Sequence, residues 1–474
     1  MSEKVEFEGV VAPTDSRQED TPASKMPDAP NNSAKTGIRR STFCCLAAAW
    51  MVEGADSQLL NTCLFALQRD IGLSLHEIAV LTTAQMIMAN LACPFWGILA
   101  DRHVLKKRSI LALGCLGVGV AVTGMSLVST ILPLVFLRAM CGVFLATLRP
   151  VSVALVAELT PEEHRGRAFG QLHSSYMLGM LVVTLVGGNV SNLYFMGIAG
   201  WRVLFGISGF ITYGVALMLV GCMTDPDRPL EKPASDRALK IVRDEICAVL
   251  RFLTIPSFSI LVLQGIFGGI PWSILGNNLL YFKLCGLEDW QGSLLTAELT
   301  AVGMLGAPIG GSIADFLARK LGYHGRPLSA QITVFTGIPL MYMQFYGLPP
   351  GQGTFWEYFA ITAAFGLLGM WAGVGTNLPI LSDIVPAEHR CKVMAWEGAL
   401  ESSTAAAVGP VAVSFLAQDL FGYTFGEDMG DPLESASALG KAMAATICIP
   451  WTVTFLAYGL LHWSYPRDMR LLRK

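Results

Sequence analysis

An all-α membrane protein, with twelve transmembrane helices in two pseudo-symmetric six-helix bundles, is the fold that this sequence predicts, and three observations carry the prediction. The 474 residues are 53% hydrophobic and only 15% charged, with a mean hydropathy of +0.51. A soluble domain carries about 25% charged residues, so the excess apolar surface needs lipid as its solvent. From Phe43 onward the apolar residues gather into stretches of about 20 residues, the length at which a helix crosses the hydrocarbon layer. Finally, Glu158-Leu-Thr-Pro161-Glu-Glu163-His164-Arg165 returns as Asp383-Ile-Val-Pro386-Ala-Glu388-His389-Arg390, displaced by 225 residues. Such a repeat is the mark of two halves built on one pattern.

The elements follow in order. Residues 1–40 are rich in Ser, Pro, Asp, Glu and Asn and have no apolar period, so they read as a disordered tail. They contain no apolar core of the kind a signal peptide needs. Spans are expected near 43–66, 77–100, 109–129, 132–157, 168–190, 201–223, 257–282, 290–317, 328–347, 356–382, 393–418 and 440–463. The segments are long, continuous and rich in Leu, Ala, Gly and Met, which excludes the alternating ten-residue strands of a β-barrel. One set of loops carries Arg102, Lys106, Lys107, Arg108, Arg165, Arg167, Arg319, Lys320, Arg326, Arg390 and Lys392, whereas the opposite set offers Arg69, Arg202, Lys283 and Lys441. The positive side also holds both termini, which are therefore expected in the cytosol, although which membrane is crossed is not legible. Residues 224–255 form a charged cytosolic linker, and the amphipathic stretch Asp236–Arg251 either lies along the membrane surface or forms a solvated helix. The expected organisation is thus a tail (1–40), an N-terminal bundle (41–223), the linker (224–255), a C-terminal bundle (256–465) and a cytosolic tail (466–474).

Several function classes are excluded at this stage. A net charge of −3 without a basic cluster interleaved with aromatics argues against nucleic acid. Eleven cysteines without a CxxC, and seven histidines without a helical ligand pair, offer no metal centre. There is no G-x-x-x-x-G-K-[ST] phosphate loop. No cofactor is expected, and no enzymatic activity. The bilayer is the one partner expected from composition alone.

An ionisable group inside a span costs at least about 2.5 kcal/mol at the bilayer centre, so each one is a functional candidate. These are Glu53 and Asp56 in span one, Arg138 and Arg149 in span four, Glu298 in span eight, and Glu397 and Glu401 in span eleven. Glu53 and Asp56, three apart, share a helix face, as do Glu397 and Glu401, four apart. Counted along the helices, Asp56 and Arg138 lie at similar depth. Their pairing would either bolt two spans together or couple a conformational change to proton uptake and release. Asp56, Glu53, Arg138 and Glu298 are therefore the proton-coupling candidates. Arg149-Pro150 should kink span four and aim Arg149 at the cavity or at headgroups. Glycines, Pro271 and Asn277-Asn278 make span seven a poor continuous helix, tolerated where backbone lines a cavity. Gln58, Asn61, Arg149, Tyr176, Trp272, Asn277, Asn278, Trp371, Asn377, Glu397 and Glu401 form the candidate substrate-binding set.

Gly97, Asp101, Arg102 and Lys106 fit the G-x-x-x-D-R-x-G-R-K/R loop of the major facilitator superfamily, with Val104 and Leu105 departing from it, and Gly311 to Asp315 repeats its start. On these motifs the chain resembles that superfamily from about residue 41 to 465. The spacing from Glu158 to Arg165 and from Asp383 to Arg390 is similar to the charge network of sugar-porter-like branches. The resemblance implies a cytosolic gate network of Asp101, Arg102, Glu158, Arg165, Arg167, Asp315, Arg319, Asp383 and Arg390. Arg138 with Gly142 resembles an R-x-x-x-G element associated with proton coupling. A span-one Asp with a span-four Arg is similar to the spinster branch of lysolipid and sphingolipid transporters, although Ser57 and Leu145 depart from its pattern. The resemblance implies a secondary transporter of a small organic solute working by alternating access, its substrate either a lysolipid-like amphiphile or a sugar, organic ion or drug, with a small-molecule substrate, protons and the bilayer as its partners and the chain acting as a monomer. A non-transporting receptor on the same scaffold is the alternative from another class.

Overall fold

In lipid every backbone N–H and C=O must find its partner inside its own segment, so the apolar stretches become helices. The computed structural model describes residues 39–101, 105–160, 162–224, 252–372, 376–385, 390–425 and 431–472, and the side chains of Asp101, Arg165, Arg167 and Arg390 are not among those described. The gate candidate Arg102 and the linker, with its expected amphipathic helix, also lie outside the described residues. In the first half, α1 spans Arg40–Ile71, α2 Leu75–Asp101, α3 Lys107–Leu127, α4 Ile131–Leu145, α5 Leu148–Leu159, α6 Glu162–Val190 and α7 Gly200–Cys222. In the second half, α8 spans Pro256–Ile274, α9 Asn278–Leu284, α10 Asp289–Leu321, α11 Gly325–Tyr342, α12 Phe355–Leu368, α13 Leu378–Ile384, α14 Arg390–Phe415 and α15 Pro432–Leu472.

Sequence chemistry sets the breaks. Gly72 closes α1 in the left-handed conformation at φ 75°, its N–H returning to the Gln68 carbonyl. Ser74 and Glu77 then start α2 as a capping box, the carboxylate accepting from the Ser74 N–H at 2.8 Å and the hydroxyl from the Glu77 N–H at 3.2 Å. The expected single span over 132–157 is two helices, because Pro150 has no N–H to return to the Ala146 carbonyl and fits instead in the first turn of α5. Span seven is broken as expected, by a 3₁₀ turn at Leu275–Asn277 between α8 and α9. Span ten is also interrupted, between α12 and α13, where glycines lower the helix preference. The segment expected as a tail beyond 465 instead continues α15 to Leu472. A two-stranded hairpin, Tyr194–Phe195 with Ile198–Ala199, joins α6 to α7. Its turn residues Met196 and Gly197 both have positive φ, 51° and 84°.

Grouped by these breaks, the described helices occupy the places of the twelve expected spans, and nine stretches among them are long and apolar enough to cross a membrane. One of the nine, Asp289–Gly347, runs for 59 residues and holds both α10 and α11.

The two halves pack alike. In the first, α1 lies against α6, α2 against α4, and α3 against α7. In the second, the corresponding partners are α8 with α14, α10 with α12, and α11 with α15. Between the halves, α2 meets α14 and α6 meets α10. Apolar side chains of α7 such as Phe210, Ile211 and Leu217 stay exposed, as a lipid-facing surface requires.

The end remote from Arg40 of α1 and Leu472 of α15 is closed by contacts between the halves. Lys283 of α9 donates to the Gly188 carbonyl of α6 at 3.0 Å and pairs with Asp289, which also accepts from Asn192 at 2.8 Å. Tyr423 donates to Gln68 at 2.9 Å, and His76 pairs with Asp419 at 3.0 Å. Deeper in, Thr83 donates to the Ala406 carbonyl and Ser402 to Asn90. From His76 to Asn90 this seam runs about 20 Å along α2 at 1.5 Å per residue.

Candidate functional site

The buried charges of the first half converge because glycine lets helices touch. A Cβ at Gly142 would lie 2.1 Å from the Gln85 carbonyl oxygen, so α4 packs on α2 backbone to backbone. The same holds for α1 on α6, where a Cβ at Gly54 would stand 2.0 Å from the Tyr176 carbonyl and one at Gly179 2.1 Å from that of Met51. Within this packing Asp56 is 1% exposed and Arg138 3%. The carboxylate of Asp56 faces the Arg138 Nη1 at 3.3 Å with one oxygen and accepts from Gln85 Nε2 at 2.6 Å with the other. The Cys141 thiol lies 3.5 Å from the oxygen that faces Arg138. Nε of Arg138 has no hydrogen-bond partner among the described residues.

One turn nearer the termini a second pair repeats the pattern. Glu53 accepts from Arg149 Nε at 2.5 Å. The Arg149 guanidinium lies over the rings of Tyr176 at 4.6 Å and Trp50 at 5.6 Å, and Tyr176 stacks on His173. Aromatic faces hold a planar cation by its charge and its plane together. The Arg149 side chain remains about half exposed, at 49%. Glu53 and Asp56 thus each have their own arginine, one from α5 and one from α4, and the break between those helices separates the two cations.

The second half is different. Glu298 on α10 is 8% exposed and Glu397 on α14 7%, and each has one carboxylate oxygen buried with no partner among the described residues. Glu401, one turn along from Glu397, lines a cavity of about 250 Å³ together with Gln264, Gly268 and Trp272 of α8, Asn377, and Trp451, Thr454 and Tyr458 of α15. Trp272 and Trp451 stand edge to face at 6.0 Å, and Tyr458 donates to Asn377 Oδ1 at 2.9 Å. No arginine, lysine or histidine is part of this lining among the described residues.

The other candidates separate. Asn61 and Asn277 share a smaller cavity beside the 3₁₀ break, with Asn61 donating to Gln58 at 3.4 Å. Asn278 is buried within α9 and lines neither cavity. Trp371 donates to the Leu367 carbonyl and packs where Gly310 leaves room on α10. At the terminal end Glu158 pairs with Lys107 at 2.6 Å, and Asp315 with Arg326 at 3.3 Å, while Arg319 is exposed. Asp383 accepts from Tyr465. Sequence reasoning missed Gln85, Trp451 and Tyr458. It placed Lys107, Lys283 and Arg326 in loops without giving them partners.

Residues 46–350 match the family model described as the Major Facilitator Superfamily. The multi-drug resistance efflux pump PmrA of Streptococcus pneumoniae (serotype 4) is 29% identical over 196 residues, 40% of this chain and 47% of that one, so the chain spans about half the length of this relative. The multidrug resistance protein MdtG of Proteus mirabilis is 25% identical over 368 residues, covering 75% and 83%. Among solved structures, a bacterial homologue of the human lysosomal transporter Spinster, in an inward-facing and unoccupied conformation, superposes with a TM-score of 0.75 at 18% identity, over 91% of this chain and 99% of that one. At that identity the likeness is one of fold, and it agrees with the paired packing of the two halves. With the family model matched over nearly two thirds of its length, the chain belongs to the Major Facilitator Superfamily.

Proposed function

We propose that this protein is a proton-coupled secondary transporter that moves a small organic solute by rocking residues 41–223 against 256–465, with Asp56 as the coupling carboxylate and Arg138 as its counter-ion. The observation that carries the reading is the Asp56–Arg138 pair, nearly inaccessible, with Gln85 as the only other nitrogen donor to the carboxylate among the described residues. A buried pair of this kind adds little stability over an apolar substitute, so its retention is better explained by use. Arg138 sits on α4 and Asp56 on α1, so a relative shift of those helices would separate the charges and leave the carboxylate to take a proton in place of the arginine. The closed seam at the remote end fits a state open toward the termini, which the loop charges place in the cytosol.

The substrate class is a proposal of the same standing. The similarity to multidrug proteins favours an organic ion or drug, and the fold likeness to the Spinster homologue leaves a lysolipid-like amphiphile as the second reading. Expressed in proteoliposomes, Asp56→Asn should abolish uptake driven by a pH gradient and leave exchange of internal for external substrate partly intact, because the amide keeps the size but carries no titrating proton. Normal gradient-driven accumulation by Asp56→Asn would refute the assignment. Loss in Glu53→Gln or Glu298→Gln instead would move it to that residue.

A further inference from the structure

Charge compensation differs between the two halves. Asp56 and Glu53 of α1 are paired with arginines from α4 and α5, whereas Glu401 faces the cavity of the second half with no hydrogen bond or ion pair among the described residues. Glu397, on the same helix face, adds a second acid with a buried, unpartnered oxygen. A carboxylate on a cavity wall with no protein cation beside it takes its countercharge from outside the chain, as a proton or as a bound cation.

The rest of the lining selects the kind of partner. A bare metal ion needs a shell of six or so oxygens. Here Glu401 is the one carboxylate in the lining, and no group of three or more His, Cys, Asp or Glu among the described residues could hold such an ion. What the cavity offers besides Glu401 is aromatic surface, from Trp272, Trp451 and Tyr458. Tryptophan faces bind alkylated ammonium better than they bind a hydrated ion, and one carboxylate supplies the countercharge.

We infer that the cavity between α8, α14 and α15 is a binding site for an organic ammonium cation, held by Glu401 and by the rings of Trp272 and Trp451. This deepens the transporter reading and rests on it for its purpose, though not for its test, which is equilibrium binding without a gradient. The purified full-length protein is titrated with choline and, separately, with 3,3-dimethylbutan-1-ol, the uncharged carbon isostere of choline, by tryptophan fluorescence and calorimetry. Choline should saturate and the isostere should bind at least tenfold more weakly. Glu401→Gln should weaken choline at least tenfold, whereas Glu401→Asp, which keeps the charge, should lose less and so shows that the loss in Gln is one of charge and not of folding. Trp451→Leu should cost roughly 2- to 30-fold. A choline-headed lysolipid, below its aggregation threshold, tells the source: competition by it as well as by choline assigns a lipid headgroup, and competition by choline alone a free cation. Equal binding of choline and its isostere, unchanged binding in Glu401→Gln with a normal melting profile, or displacement by sodium at comparable concentration would overturn the inference. Loss of gradient coupling in Asp56→Asn with no choline binding would overturn this site alone and leave the transporter reading standing.

Discussion

Replacing Gly142 by alanine tests whether the carboxylate of Asp56 depends on the contact between α2 and α4. The added Cβ would meet the Gln85 carbonyl oxygen at 2.1 Å, its carbon at 2.9 Å and the Ala89 nitrogen at 3.1 Å, all backbone atoms, whereas ordinary contact begins at 3.4 Å. The helices must part by about 1.3 Å. If α2 yields, the 2.6 Å bond from Gln85 to Asp56 stretches beyond hydrogen-bonding range; if α4 yields, the 3.3 Å contact with Arg138 does. Either way the acid loses at least one of its partners Gln85, Arg138 and Cys141. Overpacking costs about 1–3 kcal/mol, and a lost hydrogen bond to a charged group about 1.5–3 kcal/mol, so stability should fall by about 2.5–6 kcal/mol. The assay is thermal unfolding in detergent beside gradient-driven uptake in liposomes. Gly214→Ala is the control, since nothing lies within 4 Å of its Cβ position and alanine favours the helix. A Gly142→Ala protein that melts and transports like the control would refute the claim that this contact positions the acid.

Three further outcomes follow from the same geometry. Glu158→Ala should destabilise the protein by about 3–5 kcal/mol, because Lys107, 4% exposed, keeps its charge and loses its 2.6 Å partner, and Lys107→Met should cost less in the same melting assay. Lys283→Met should loosen the closed end by removing the bonds to Gly188 and Asp289; at about 1–2 kcal/mol the open population rises roughly 5- to 30-fold, read as faster labelling of a cysteine placed at Asn61 by an impermeant maleimide. Arg149→Lys keeps a charge beside Glu53 but loses the plane that lies over Tyr176 and Trp50, so substrate affinity should drop by about 1 kcal/mol, near fivefold, with expression unchanged, as measured by concentration-dependent uptake.

Much of this was legible in the chain because membrane helices leave the backbone few choices. Apolar length located the spans, and the glycines, Pro271 and paired asparagines of span seven announced its break. Depth counted along two helices brought Asp56 and Arg138 together, since each residue adds a fixed rise. The Glu53–Arg149 pair escaped the same count because it depends on the break after Leu145, which re-aims α5 and is set by Pro150 four residues beyond the carbonyl it frees. Gln85 escaped because its role comes from Gly142 on another helix, a three-body relation that no spacing within one span reveals. The α15 wall of the cavity did leave a trace: Trp451, Thr454 and Tyr458, at i, i+3 and i+7, form one polar-aromatic stripe in an otherwise apolar span. Gln264, Gly268 and Trp272 form the facing stripe at i, i+4 and i+8, and reading the two together would have located the site.

The division of labour between the halves has a mechanical consequence. In this conformation the first half holds Glu53 and Asp56 in internal pairs with arginines. The second half carries acids without a partner among the described residues and also the discontinuous span, α8 and α9, whose 3₁₀ turn at Leu275–Asn277 separates the cavity residues Gln264 to Trp272 from the seam residue Lys283. A ligand bound at Glu401 as proposed would touch α8 at Trp272, while α9 reaches across to the Gly188 carbonyl of the first half through Lys283. The free energy of filling the cavity can then be set against the few hydrogen bonds of the seam, each worth about 1 kcal/mol, which is the scale on which two access states of one transporter can exchange.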